Sequence, residues 1–217
     1  MRIGIFGHSS AYYNISSDYK TKCELLAERF PDDQIDWYGA FVCSTERMLS
    51  KLQKHKNYDL YILFHLGWQQ VYIPGFRDGD LETADIRKCA RDGNFLKQRI
   101  QRRQVEDFDL MQTYFEGFVN LWLPSDRELI NRWVGAFTLI NLFCKDKNVI
   151  HVGRKDIVDL KNMIKIGNFS ESLTEAQIQH DIHIQKGITY SHEEMELMFA
   201  DAMEEEINKF KLSHNLT

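Results

Sequence analysis

Along the first half of the chain, apolar runs too continuous to leave a wet face alternate with stretches whose apolar residues recur at helical spacing. Arg2-Ile3-Gly4-Ile5-Phe6-Gly7 predicts a first strand over 2–7. Asp18 to Phe30 then carries Tyr19, Cys23, Leu26, Ala27 and Phe30 on one helical face, and Pro31 stops it. Residues 35–42 and 59–66 predict second and third strands. Between them, Ser44-Thr45-Glu46 opens a helix whose apolar face holds Met48, Leu49 and Leu52. Strand three is the most continuously apolar, which is the signature of a strand covered on both faces.

The pattern loosens from 78 to 117, where Arg87 to Arg103 gathers seven basic residues against Asp92, and this reads as a helical insertion with a solvated basic face, the alternative being a face that attracts an anionic substrate or a phosphate-bearing partner. Pro124-Ser125-Asp126 starts a long helix, with Leu129, Ile130, Trp133, Val134, Phe137, Ile140, Leu142 and Phe143 continuing an apolar stripe to Lys145. Residues 148–152 predict a fourth strand, and the mixed stretch 156–178 reads as loop with short helical pieces. Ser191-His192-Glu193-Glu194 caps a last helix that carries Met195, Met198, Phe199, Ala202, Met203 and Ile207 on one face. Strand–helix alternation of this kind predicts a central parallel sheet with helices on both faces, a three-layer α/β/α sandwich.

Composition narrows the class. The chain has 217 residues, 43% of them hydrophobic and 12% aromatic, with only 3 Pro, so one core can form without staples and 1–217 is expected to be a single domain. Cys23, Cys43, Cys89 and Cys144 are dispersed and form no Cys-x-x-Cys pair, which excludes a zinc ribbon or a thioredoxin-like motif and fits a reduced, cytoplasmic chain. The amino end opens on a strand rather than a signal peptide, and no run approaches the roughly 20 apolar residues a membrane span needs. A net charge of -5 argues against a nucleic-acid partner.

Ligands of open parallel sheets bind beyond the carboxyl ends of the strands, so the segments just after each strand are the ones to interrogate. They hold Gly7-His8-Ser9-Ser10, Gly39 with Ser44 following, and Gly67-Trp68-Gln69-Gln70, and ahead of the last helix stands His180-Asp181-Ile182-His183. His65, on an apolar strand, is expected to be a hydrogen-bonded core residue. If extended, the 180–183 segment would put Asp181 and His183 on one face, a pair that suits zinc or iron, but no further ligand stands out in sequence apart from His192 or the distant His151, and no metal is expected. Gly4-x-x-Gly7-His8-Ser9-Ser10 lacks both the Lys of a P-loop and a full Gly-x-Gly-x-x-Gly, which leaves nucleotide binding the weakest reading.

In order and spacing these blocks resemble the SGNH, or GDSL-like, hydrolases. Phe6-Gly7-His8-Ser9 looks like the family's Gly-Asp-Ser turn with His8 for the Asp, Trp37-Tyr38-Gly39 like its second block, and Leu66-Gly67-Trp68-Gln69-Gln70 like its third with Gln69 for the Asn. The resemblance implies an SGNH or flavodoxin-like sheet and a serine-dependent esterase or acyltransferase acting on a small-molecule or carbohydrate ester, with no cofactor. It assigns Ser9 as nucleophile and His183 as base, with Asp181 or a backbone carbonyl fixing the imidazole tautomer. The Ser9 and Gly39 N–H groups and the Gln69 amide would hold the oxyanion, and His8, Ser10 and Trp68 would contact substrate. Physically, a serine hydroxyl needs a base within hydrogen-bond reach near neutral pH, and loss of one oxyanion donor costs about 2.7–4 kcal/mol.

The family's Asp and His lie three apart and close to the terminal helix, whereas Asp181 and His183 are two apart and about eight residues before Ser191. Counting back from the helix start instead puts Gly187 and Tyr190 on those positions. This departure supports the alternative of an inactive SGNH-like domain that binds a carbohydrate or a protein.

Overall fold

The computed structural model describes residues 1–8, 11, 13–14, 16–39, 44–65, 71–73, 81–83, 113, 126–153, 169–186 and 191–215, with the backbone alone at 71–73, 81–83, 126, 128–129 and 181–186. The chain alternates β1 (Arg2–Gly7), α1 (Lys22–Arg29), β2 (Gln34–Gly39), α2 (Thr45–Lys54) and β3 (Leu60–Phe64). A short antiparallel pair follows, β4 (Val71–Ile73) with β5 (Leu81–Thr83). Then come α3 (Asp126–Phe143), β6 (Val149–Val152), α4 (Glu171–Lys186) and α5 (His192–Ser213). The main sheet is four-stranded and all parallel in the order β2-β1-β3-β6, an α/β fold.

Alternation along each strand divides the core in two. Ile3, Ile5, Leu60, Ile62, Phe64, Ile150 and Val152 face one way and pack with Leu26 of α1, Leu173 and Ala176 of α4, and Met195, Phe199, Met203 and Ile207 of α5. Phe6, Tyr61, Leu63 and Val149 face the other way, against Met48 and Leu52 of α2 and Ile140 of α3. Both faces of β1 and β3 are therefore dry, as their unbroken apolar runs require. Each such side chain contributes on the order of 1.5–3 kcal/mol by leaving water.

Polar contacts then fix the helices on this frame. Arg29 of α1 reaches Asp201 at 2.7 Å and Glu204 at 2.9 Å on α5, and Arg132 of α3 reaches Glu46 of α2 at 2.7 Å. The Asp33 carboxylate, 5% exposed, accepts from the Met1 ammonium at 2.9 Å and from Lys211 at 2.6 Å, tying the start of β1 to the end of α5.

Three sequence expectations need correction. Helix α1 starts at Lys22 rather than Asp18, because Thr21 and Glu24 close a capping box in which the Thr21 N–H donates to the Glu24 carboxylate at 2.9 Å. Within 78–117 the segment 81–83 is a strand paired with 71–73, where β-favouring Val71-Tyr72-Ile73 supplies the partner. Thr113 is helical, and the rest of that stretch, the basic run included, lies outside the described residues.

The third correction is the largest. Residues 171–186 form one helix, not loop or an extended segment. Ser170 starts it by accepting from the Leu173 N–H at 3.1 Å, and the run to Lys186 contains neither Gly nor Pro. Its buried face mixes Leu173 and Ala176 with the polar Thr174 and Gln177, which hides the apolar stripe from a pattern reading.

Candidate functional site

Parallel pairing brings the ends of four strands to one edge, with Gly7 in register with Gly39 and Phe64, and Phe64 with Val152. At Gly7 the backbone takes φ +143°, and a Cβ there would lie 2.4 Å from the Phe64 carbonyl oxygen. Only glycine permits both the dihedral and the close approach. Just beyond Gly7 the Ala11 N–H donates to the His8 carbonyl at 2.9 Å, and Ser9 and Ser10 lie outside the described residues. Trp68 and Gln69 lie outside them as well.

Gly39 ends β2, where the Lys51 ammonium donates to the Tyr38 carbonyl at 2.9 Å and to the Gly39 carbonyl at 3.3 Å. A cation of α2 thus fixes the strand end whose N–H was expected to face an oxyanion. Ser44 acts as a helix cap: its hydroxyl accepts from the Arg47 N–H at 3.2 Å at the start of α2.

His8, at the end of β1, is 4% exposed, with its ring edge-on to Phe64 at 6.2 Å. His65 is fully buried, and its Nε2 stands 2.8 Å from Nδ1 of His151, so it is the hydrogen-bonded core residue its strand implied. Phe137 of α3 lies 4.4 Å from the His65 ring. The ends of β1, β3 and β6 therefore carry three buried imidazoles, a cluster that sequence reading missed because its members are far apart in the chain. Burial holds His65 well below the ordinary imidazole range, and the neighbouring His151 and His8 push it the same way. Burial takes His151 down to about 4.

Helix α4 climbs alongside β6 towards the same edge. The Ser170 N–H donates to the His151 carbonyl at 2.9 Å, and one turn further the Gly153 N–H donates to the Thr174 hydroxyl at 3.1 Å. At 1.5 Å per residue, Asp181 and His183 lie about 10–13 Å beyond Thr174 along the helix, past the strand ends. They do not share a face, however, since two residues of helix turn through about 200°. The shared face expected of an extended segment is thus lost, and positions 181 and 183 flank the buried stripe on opposite sides. The neighbouring His180 sets its ring edge-on to Phe199 of α5 at 5.6 Å.

A cavity of about 370 Å³ lies at the opposite end of the sheet, between the starts of β3 and β6 and the end of α5, lined by Leu60, Asn148, Phe169, Lys209 and Phe210 among others. Among the described residues, none of the expected site residues lines it. No group of three or more His, Cys, Asp or Glu side chains placed to hold a metal ion occurs among the described residues, and none of their helices is long and apolar enough to cross a membrane. No family model and no curated protein matches the chain.

Proposed function

We propose that the chain is an SGNH-like three-layer α/β/α domain whose strand ends form an acyl-ester hydrolase or acyltransferase site. The observation that carries this reading is the Gly7 turn. A glycine forced by φ and by contact with the Phe64 carbonyl ends the central strand directly before His8-Ser9, in register with Gly39. In this reading the Ser9 hydroxyl attacks the acyl carbon while His183 takes its proton, and the oxyanion is held by the Ser9 and Gly39 N–H groups and the Gln69 amide. His183 then returns the proton to the leaving alcohol, and water or an acceptor hydroxyl releases the acyl group. With Asp181 on the other flank of α4, a backbone carbonyl is the acceptor that sets the His183 tautomer.

The helical separation of 181 from 183 favours a second reading, an inactive SGNH-like domain that binds a carbohydrate or a protein. Labelling with a fluorophosphonate serine probe, followed by peptide mapping, separates the two. Modification at Ser9 that is lost in Ser9→Ala supports the enzyme. Absence of labelling together with inertness towards p-nitrophenyl acetate supports the binding domain.

A further inference from the structure

We propose that His8, His65 and His151 form an acid-sensitive lock on the carboxyl-terminal edge of the sheet, released when the His65–His151 pair takes up a proton. The inference concerns the edge itself and stands whether or not Ser9 is a nucleophile. The two rings lie nearly parallel, 13° apart with centroids at 5.1 Å, and the 2.8 Å contact between Nε2 and Nδ1 is made by a single shared N–H while both are neutral. A first proton taken up at the outward nitrogen of the donor ring leaves the shared N–H in place but puts an imidazolium into a site that is 0% and 4% exposed, and a second proton sets two N–H groups against each other.

Nothing among the described residues compensates that charge. His151 in β6 and His8 at the end of β1 are the titratable groups acting on His65, both potential cations, and α3 contributes the uncharged ring of Phe137. Burial alone acts on His151. His65 follows β3, His151 lies in β6, and the pair packs under α3, so their hydrogen bond ties three elements at one point.

The sign is fixed by burial. An accessible imidazole titrates near 6.5, and both rings are held below that in the closed edge. The lock is intact above about 6.5 and weakens as pH falls, down to about 4, where His151 protonates even when buried. Across that window the equilibrium for opening rises by up to about tenfold per pH unit for each imidazole.

Hydrogen exchange of the full chain at about pH 7 and about pH 5.5, normalised for intrinsic rates, tests this. Peptides covering 60–65, 149–153 and 133–140 should lose protection by about tenfold or more, while 201–213 of α5 keeps its protection. Uniform loss over the whole chain, or none, overturns the proposal. Imidazole ¹⁵N titration of the folded protein is an independent arm that needs no variant, and His65 and His151 titrating near 6.5 would equally overturn it. His151→Gln, which retains a hydrogen-bonding amide, should flatten the pH dependence of protection at 60–65, and an unchanged dependence counts against the lock.

Discussion

The carboxylate of Glu196 accepts a 2.7 Å hydrogen bond from the Lys22 backbone N–H and pairs with the Lys22 ammonium at 3.2 Å. One acid on α5 thereby satisfies the first turn of α1 and neutralises a cation whose side chain is only 4% exposed. Glu196→Ala should destabilise the fold by about 3 kcal/mol, because it leaves Lys22 buried without its counter-charge. Adding Lys22→Met should recover part of that loss. Urea unfolding of the two variants measures both numbers, and equal stabilities would contradict the pairing argument.

Three glycines should respond in three ways. Gly7→Ala meets a backbone oxygen that cannot move aside and adopts a left-handed φ, so a loss of more than about 3 kcal/mol or failure to fold is expected. Gly4→Ala meets the packed rings of Phe6 and Tyr58 rather than backbone and needs no left-handed φ, so it should cost less than Gly7→Ala. Gly135→Ala, in α3 with nothing within 4 Å, should stabilise by about 0.5–1 kcal/mol. Thermal melts rank the three, and a stable Gly7→Ala would remove the geometric basis of the turn.

Ser9→Ala and His183→Ala should each reduce ester turnover by orders of magnitude with little change in melting temperature, because nucleophile and base act as a unit. Ser44→Ala is the matched control. It removes a cap worth about 1 kcal/mol and should leave turnover per folded molecule unchanged. Turnover that survives Ser9→Ala assigns the chemistry elsewhere.

Asp33 predicts a separate acid transition. Burial pushes its carboxyl up, but hydrogen bonds from Lys211 and the Met1 ammonium outweigh that and hold it below its usual 3.8. A depressed carboxylate contributes stability above its unfolded value and loses it as pH falls through the folded one. Asp33→Asn should therefore cost about 3 kcal/mol at neutral pH and progressively less below about pH 4. Equilibrium unfolding against pH resolves this step from the imidazole window above it, and a pH-independent penalty would point to packing instead of charge.

Strands β1 and β3 were legible because burial on both faces leaves an unbroken apolar run. In α4, by contrast, buried Thr174 and Gln177 interrupt the stripe, and the surviving cue was Ser170 ahead of a run free of Gly and Pro up to Gly187. That miss propagated to the site, because a two-residue spacing that aligns positions in a strand opposes them in a helix. His65 could be read as a core residue from its own strand. Its partner could not, since His151 lies 86 residues away and only the β3–β6 pairing brings them together.

The apolar cluster that joins Ile3 and Ile5 to Met203 and Ile207 draws on the first strand and the last helix of the fold. A ribosome synthesises these segments about 200 residues apart, a delay of about 10–40 s at about 5–20 residues per second. Throughout that interval one greasy face of the nascent β1–β3 sheet waits for its cover. Nascent chains stalled before residue 190 lack that cover and should remain protease-sensitive where the released protein resists.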